Sequence, residues 1–278
     1  KDKELPTAAL MKAVITGGAK GALKPNNAQG WGSVDLAETL APTNRAVKLI
    51  DRIPFEQGKE FVYLIQTTNE APIDVQLVWV DYPGKELVND LDLTVEANIN
   101  GVEEIWFGNG GQEPDTLNNI ESVRLESAKM ATYIITVDCK KIGYDFTEGG
   151  AAALYIRGAF DPAFEPEEPK NVRIRETGEE YRLLDKALKA VEDGQTIELL
   201  SMASLRKATT VAVDCTICAT NDNAEATPVR LNPNAKLTVA PDHFLTLTNF
   251  CLANHPTTTV IVDNNAVLKI AGTVMLGD

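Results

Sequence analysis

The sequence is short of positive charge, of histidine and of cysteine, and it has no long apolar run. Against 40 Asp and Glu stand 26 Lys and Arg, so the 278 residues carry a net charge of −14. So acidic a surface is repelled by phosphate backbones and anionic headgroups, and no nucleic-acid partner is expected. No stretch approaches the roughly 20 apolar residues of a membrane span. No basic and apolar leader opens the chain, so any export signal is expected outside it. Cys139, Cys215, Cys218 and Cys251 are too few and too scattered for a disulfide framework, and spacing alone does not set their pairing. The C-x-x-C of "CTIC" lies in the strand-like "VAVDCTICAT". With no second C-x-x-C, and with His243 and His255 the only histidines, buried strand thiols are expected rather than zinc or redox chemistry.

What is there falls into three patterns. Residues 1–44 read as helical. In "PTAALMKAVITGGA" Leu10 and Val14, and Met11 and Ile15, lie four apart on an apolar face. Pro6 suits the first helical position and Gly17-Gly18 the C-terminal stop. In "DLAETL", Asp35 and Glu38 have capping-box spacing. Two such short helices and Trp31 cannot close a core, so Leu10, Val14 and Trp31 must dock on the barrel or stay poorly ordered.

Residues 45–162 change to short alternating runs such as "EFVYLIQ", "DVQLVWVDY", "DLDLTVEA" and "TYIITVDC". Turn formers separate them, among them Pro83-Gly84, Asn100-Gly101, Asn109-Gly110 and Gly149-Gly150. That pattern predicts an antiparallel β-sandwich or jelly-roll barrel. The proline- and acid-rich residues 163–170 read as a linker.

Residues 171–278 open with one helix, "YRLLDKALKAVEDG", whose Leu184, Leu188 and Val191 share a face, and continue as strand. A shift of 23 residues lays Leu237 on Val260, Val239 on Val262, Leu245 on Leu268 and Leu247 on Ile270, with Asp242 and Asn265 in the turn between. A strand repeat of this length predicts a right-handed parallel β-helix or related solenoid, with a plain sandwich as the alternative. Asn-rich spots such as "ATNDNAE" and "VDNNAV" suit its turns. The absence of a polar capping segment before Asp278 leads us to expect further coils beyond it.

Among side chains with chemistry, Asp81, Asn89, Asp90 and Asp92 in "VDYPGKELVNDLDL" offer several oxygens near one strand entry. They are either candidate ligands of a structural Ca²⁺ or the solvated polar face of a half-buried strand. Trp31 reads as a packing anchor, and Trp79 and Trp106 as barrel-core or rim residues that as a rim pair would suit a sugar. "FGNGG" lacks the helix and Lys-Ser/Thr of a phosphate cradle and reads as a turn.

"ELPTAALMKAVITGGA" followed by "PNNAQGWGSVDLAETL" resembles the end of a subtilisin-like serine protease catalytic domain, through Pro6, Ala8, Leu10, Lys12, Ala13, Gly30-Trp31-Gly32 and Asp35. "VWVDYPG", "LVNDLDLTV", "FGNGG", "NNIESVRL" and "TYIITV" resemble, in order, the C-terminal β-barrel of one subtilase branch. Ala131 stands where that branch usually has glycine. The resemblance implies a non-catalytic C-terminal fragment of a secreted or cell-surface bacterial serine endopeptidase, with calcium in the barrel. Its role would be to stabilise its own upstream catalytic domain or to aid attachment to protein substrate, surface or glycan. The Asp, His, Ser and oxyanion Asn of that family would lie upstream of Pro6, so no catalytic residue is named and the chain is expected not to cleave peptides. The competing expectation is a non-enzymatic adhesion or carbohydrate-binding surface protein.

Overall fold

The structure is a computed structural model. It describes residues 5–40, 44–84, 86–100, 102–144, 152–201, 203–219, 228–231, 235–253 and 259–277, with backbone alone at 22–24, 228, 230–231, 249–253 and 271–277. Gly101, Gly149-Gly150, most of "ATNDNAE" and His255 lie outside the described residues, as does the side chain of Cys251. The chain is mainly β and divides into two units, residues 1–167 and 168–278, a boundary that falls inside the acidic proline-rich segment. No described helix is long and apolar enough to cross a membrane.

The first unit begins with α1 (Ala8–Gly17), the hairpin β1 (Lys20–Asn26) and β2 (Gly30–Ser33), and α2 (Leu36–Leu40). Thr7 rather than Pro6 starts α1. Its hydroxyl accepts from the Leu10 N–H at 3.1 Å, and its own N–H and hydroxyl donate to Asp51 at 3.0 and 2.5 Å. Pro6 therefore sits one residue before the cap. The helix does stop at Gly17-Gly18, but for a different reason from the left-handed turn a glycine usually supplies. Gly18 has φ of −86°, and a Cβ there would stand 1.8 Å from Thr39 Oγ1. A Cβ on Gly17 would stand 2.5 Å from the Tyr155 ring. Close approach, not backbone freedom, demands both glycines. Asp35 caps α2 through the Glu38 N–H at 3.0 Å, whereas the Glu38 carboxylate turns to Arg45 and leaves the capping box half-made.

Eight more strands complete the first unit: β3 (Ala46–Ile53), β4 (Glu60–Gln66), β5 (Ala71–Val78), β6 (Asn89–Ile99), β7 (Val102–Phe107), β8 (Ile120–Ala128), β9 (Thr132–Ile142) and β10 (Ala152–Gly158). They form two antiparallel four-stranded sheets in the orders β3-β10-β5-β8 and β4-β9-β6-β7. Alternation sends Ile73, Val75 and Leu77 of β5, Leu91, Leu93 and Val95 of β6, and Ile135 and Val137 of β9 into one core, all fully buried. The helical layer docks on the outer face of the first sheet. Ala9, Leu10 and Ala13 pack with Val78, Ile120, Ala153 and Tyr155, and Val14 and Trp31 close over them.

The second unit opens with β11 (Val172–Ile174), β12 (Glu180–Tyr181) and α3 (Leu184–Ala190). Leu184, Leu188 and Val191 are buried together, the face legible from their spacing. The rest of the unit is strand: β13 (Thr196–Leu199), β14 (Ala203–Leu205), β15 (Thr209–Val211), β16 (Cys215–Ala219), β17 (Pro228–Leu231), β18 (Lys236–Val239), β19 (Phe244–Ala253), β20 (Thr259–Val262) and β21 (Val267–Gly277). Pairing is parallel along β13-β16-β19-β21, β14-β17-β19 and β15-β18-β20. The four apolar pairs of the 23-residue shift are Cα partners in these ladders. Asp242 and Asn265 occupy equivalent turns with φ of 64° and 62°, a conformation that Asp and Asn tolerate. Leu237, Val239, Leu245 and Leu247 are buried, while Val260, Val262, Val267 and Ile270 on the last rung are exposed.

Candidate functional site

The four residues read from sequence as cation ligands lie around the start of β6, but they do different work. The Asp81 carboxylate accepts from the N–H groups of Val88 and Asn89 at 2.8 and 3.2 Å, closing the loop between them. Asn89 is fully buried, and its Oδ1 accepts from Gly143 and Tyr144 N–H, both at 3.0 Å. Both side chains thus organise backbone. Asp90 and Asp92 share the face opposite Leu91 and Leu93, as alternation requires, and water reaches that face unevenly: Asp90 is half-buried and Asp92 is 2% exposed.

Among the described residues, neither Asp92 oxygen has a hydrogen-bond partner, nor has Asp90 Oδ1. The nearest cation to Asp92 is Lys140, with Nζ at 3.6 Å. Burial pushes the Asp92 carboxyl up to about 7, against the pull of Lys140 and helped by Asp90 and Asp138. Asp90 is raised chiefly by burial as well, opposed by Lys141 and reinforced by Asp115 and Asp81. Sequence reasoning missed the third member, Glu121 of β8. It is fully buried, its Oε2 accepts from the Leu93 N–H at 2.6 Å, and its Oε1 has no partner among the described residues. Burial holds it well above the usual carboxylate range. A Cβ on Gly108 would strike Glu121 Oε2 at 2.2 Å, so the first glycine of "FGNGG" makes room for this acid. Asp115 behaves oppositely: burial would raise it, but donors from Asn109, Asn118 and Leu117 outweigh that and lower it.

Either a proton or a hard cation satisfies buried carboxylate oxygens of this kind. Among the described residues, no three His, Cys, Asp or Glu side chains converge as a metal-ligand set. The two possibilities have opposite signs in stability. Protonated in the fold at about 7 and ionised when unfolded above 3.8, Asp92 binds more protons folded than unfolded between those values. Its contribution is full below pH 4 and is lost as pH rises towards 7, with a slope of up to about 1.4 kcal/mol per pH unit. Asp92→Asn is expected to flatten that part of the pH–stability profile, measured by urea unfolding. If a cation satisfies the oxygens instead, the substitution destabilises, and added calcium raises the melting temperature of the parent protein but not of the variant.

A second polar centre, also absent from the sequence reading, lies beneath the helical layer. Asp74 of β5 accepts from Arg157 Nε and Nη2 at 2.9 and 2.5 Å, with Arg45 at 3.6 Å and Arg124 at 3.9 Å. Arg124 also donates to the Thr16 and Ala19 carbonyls at the end of α1, and Arg157 to the Glu38 carbonyl of α2. One carboxylate and its arginines therefore hold both helix ends. The signal available in sequence was a charged residue interrupting an apolar strand, as in "PIDVQLV" and "LYIRG".

The tryptophans separate. Trp79 is 1% exposed and donates from Nε1 to the Asn89 carbonyl at 2.9 Å, so it offers no face to a ligand. Trp106 stacks on Tyr133, centroids 6.1 Å apart, in the wall of an open cleft of about 500 Å³. The C-x-x-C thiols also separate. An odd spacing on a strand puts Cys215 and Cys218 on opposite faces, Cys215 in the core of the second unit with its thiol pushed by burial up to about 12, and Cys218 half-buried beside Arg175. Cys139, Cys215 and Cys218 are not joined in disulfides. His243 Nδ1 lies 3.3 Å from Asp214 Oδ1, which also accepts from the Phe244 N–H at 2.9 Å. That acid thereby links adjoining turns of the parallel ladders.

No family model matches the chain. Among curated proteins it is similar to the Serine protease/ABC transporter B family protein tagA of Dictyostelium discoideum, 28% identical over 156 residues, covering 48% of this chain and 9% of that protein. The chain thus spans under a tenth of that relative's length. Solved structures with some likeness include a Sulfurospirillum deleyianum protein (8% identity, TM-score 0.25, 43% of this chain and 99% of that one). The catalytic domain of Agl-KA is another (11% identity, TM-score 0.18, 78% and 45%). At such scores these two carry no argument.

Proposed function

We propose that this chain is the non-catalytic C-terminal portion of a secreted or cell-surface serine endopeptidase of the subtilase type. In this reading α1 and α2 close the catalytic domain, the eight-stranded part is a jelly-roll accessory domain, and the second unit begins a right-handed parallel β-helix. The sheet orders β3-β10-β5-β8 and β4-β9-β6-β7 support the jelly roll, and the parallel ladders with their 23-residue register support the β-helix. The similarity to a protein named a serine protease supports the family.

The observation that carries the reading is the two-sidedness of the helical layer. Its inner face is anchored on the sheet by Asp74 and its arginines, while its outer side leaves Met11, Ile15, Val34, Leu36 and Leu40 exposed, the last at 69%. Met11 and Ile15 lie one turn apart on one stripe of α1. An apolar outer surface on a layer so firmly seated suits the body of a catalytic domain.

The chain extended upstream by its native sequence is expected to contain a Gly-Thr-Ser nucleophile segment and to hydrolyse peptides. In that longer protein, Met11→Lys with Ile15→Lys is expected to cost about 2 kcal/mol, read as a lowered melting temperature. In the present chain the same exposed pair is expected to change stability by no more than about 0.5 kcal/mol. Equal effects in both proteins, or an upstream sequence without the nucleophile segment, would overturn the reading.

A further inference from the structure

The two sheets of the first unit each end in a strand with no further partner among the described residues: β7 closes one order and β8 the other. Near Glu121, whose carboxylate reaches the Leu93 N–H, the sheets meet. Towards residues 124–128 they part, and the cleft of about 500 Å³ opens between β7 and β8. Ile99, Trp106 and Tyr133 give it an apolar wall, and Glu104 and Glu126 line it from opposite strands. Both glutamates are exposed, and neither forms an ion pair with a described residue. Lys129, the cation on the rim, is already held by Glu70 at 2.7 Å, and the Arg124 guanidinium points away to the end of α1. The cleft is therefore aromatic and acidic, flanked by two strands that end their sheets among the described residues; Asn109 bonds the Ile120 carbonyl and the Ser122 N–H of β8, outside the span 124–128.

We propose that this seam is a docking site for an extended peptide segment carrying arginine or lysine, which adds to a free edge as a strand and lays a cationic side chain between Trp106 and the carboxylates of Glu104 and Glu126. Unpaired edges recruit extended backbone, because each added residue satisfies donors and acceptors otherwise left to water. A cation gains twice here, from the ring face of Trp106 and from two uncompensated carboxylates. An acidic segment would meet the same carboxylates and a chain of net charge −14, so charge selects the basic partner. Residues 124–128 of β8 span about 16 Å, enough for a segment of roughly five residues. The proposal goes beyond the preceding reading and does not depend on a catalytic domain covering α1 and α2.

Calorimetric titration of the present chain with a blocked hexapeptide alternating arginine and valine tests it. Binding is expected to weaken with salt, to fall at least tenfold on replacing the arginines by glutamate, and to disappear when alternate backbone nitrogens are methylated. Glu104→Lys and Glu126→Lys alter exposed side chains, so melting temperatures should stay unchanged while affinity drops at least tenfold. The absence of binding, equal affinity for the glutamate or N-methylated peptide, indifference to both substitutions, or binding of a gluco-oligosaccharide in place of the peptide would each overturn it.

Discussion

Replacing Asp74 by alanine is expected to destabilise the first unit by about 3–5 kcal/mol, the cost of breaking a buried ion pair and leaving its partners charged. The Arg157 and Arg124 side chains are each 6% exposed, so neither can regain water without moving. Arg157 loses both donors' acceptor on Asp74 and keeps only the Glu38 carbonyl. The damage should begin at the helical layer, because the same arginines hold the ends of α1 and α2. Trp31, which packs against that seat, should report an early transition in fluorescence before the strands unfold by circular dichroism. Combining Asp74→Ala with Arg157→Ala should cost less than the sum of the single changes, since the double variant no longer strands that charge. Arg157→Lys should not rescue, because one ammonium cannot serve both Asp74 and the Glu38 carbonyl. A loss below about 1 kcal/mol would mean the cluster is hydrated and the helices are held by Leu10, Ala13 and Tyr155 alone.

Trp79→Ala is expected to be comparably severe, about 3–5 kcal/mol for emptying the space of a buried indole. The Asn89 carbonyl would lose its Nε1–H donor as well, and an unsatisfied buried acceptor adds about 1–3 kcal/mol. Trp79→Phe separates the two contributions, because it keeps most of the volume and removes only the hydrogen bond. Unfolding midpoints in urea for the two variants give the comparison, and an alanine variant within about 1 kcal/mol of the parent would contradict the burial. Both substitutions leave Trp106 in place, so the cleft beside it should stay intact in any variant that folds.

The elements most legible in the sequence were those where local pattern and tertiary demand coincide. Leu91 and Leu93 against Asp90 and Asp92 announced a strand with two chemically distinct faces, and Leu184, Leu188 and Val191 a single helix stripe. The 23-residue shift carried actual register, down to the positive φ at Asp242 and Asn265, because equivalent turns recur in stacked ladders. What stayed hidden was long-range pairing. Nothing near Thr7 signals Asp51, nothing near Asp74 signals Arg157, and Glu121 resembles any surface acid until Leu93 is brought to it. The glycines of "ITGGA" were placed correctly as a stop for the wrong reason, since the contacts that demand them come from Thr39 and Tyr155.

The exposed last rung of the second unit has a thermodynamic consequence. Parallel ladders set strand beside strand along one axis, and the buried side chains from Val172 of β11 to Leu247 of β19 form one core along it. At the beginning of that axis α3 packs with Ile197, Leu205 and Val211. Among the described residues, Val260 and Val262 of β20 and Ile270 of β21 are exposed and pair on one side only, with β18 and β19. In the present chain the amide protons of β20 are therefore expected to exchange before those of β13 and β16, whose side chains Ile197 and Ile217 are buried, and hydrogen exchange along the ladders measures that gradient.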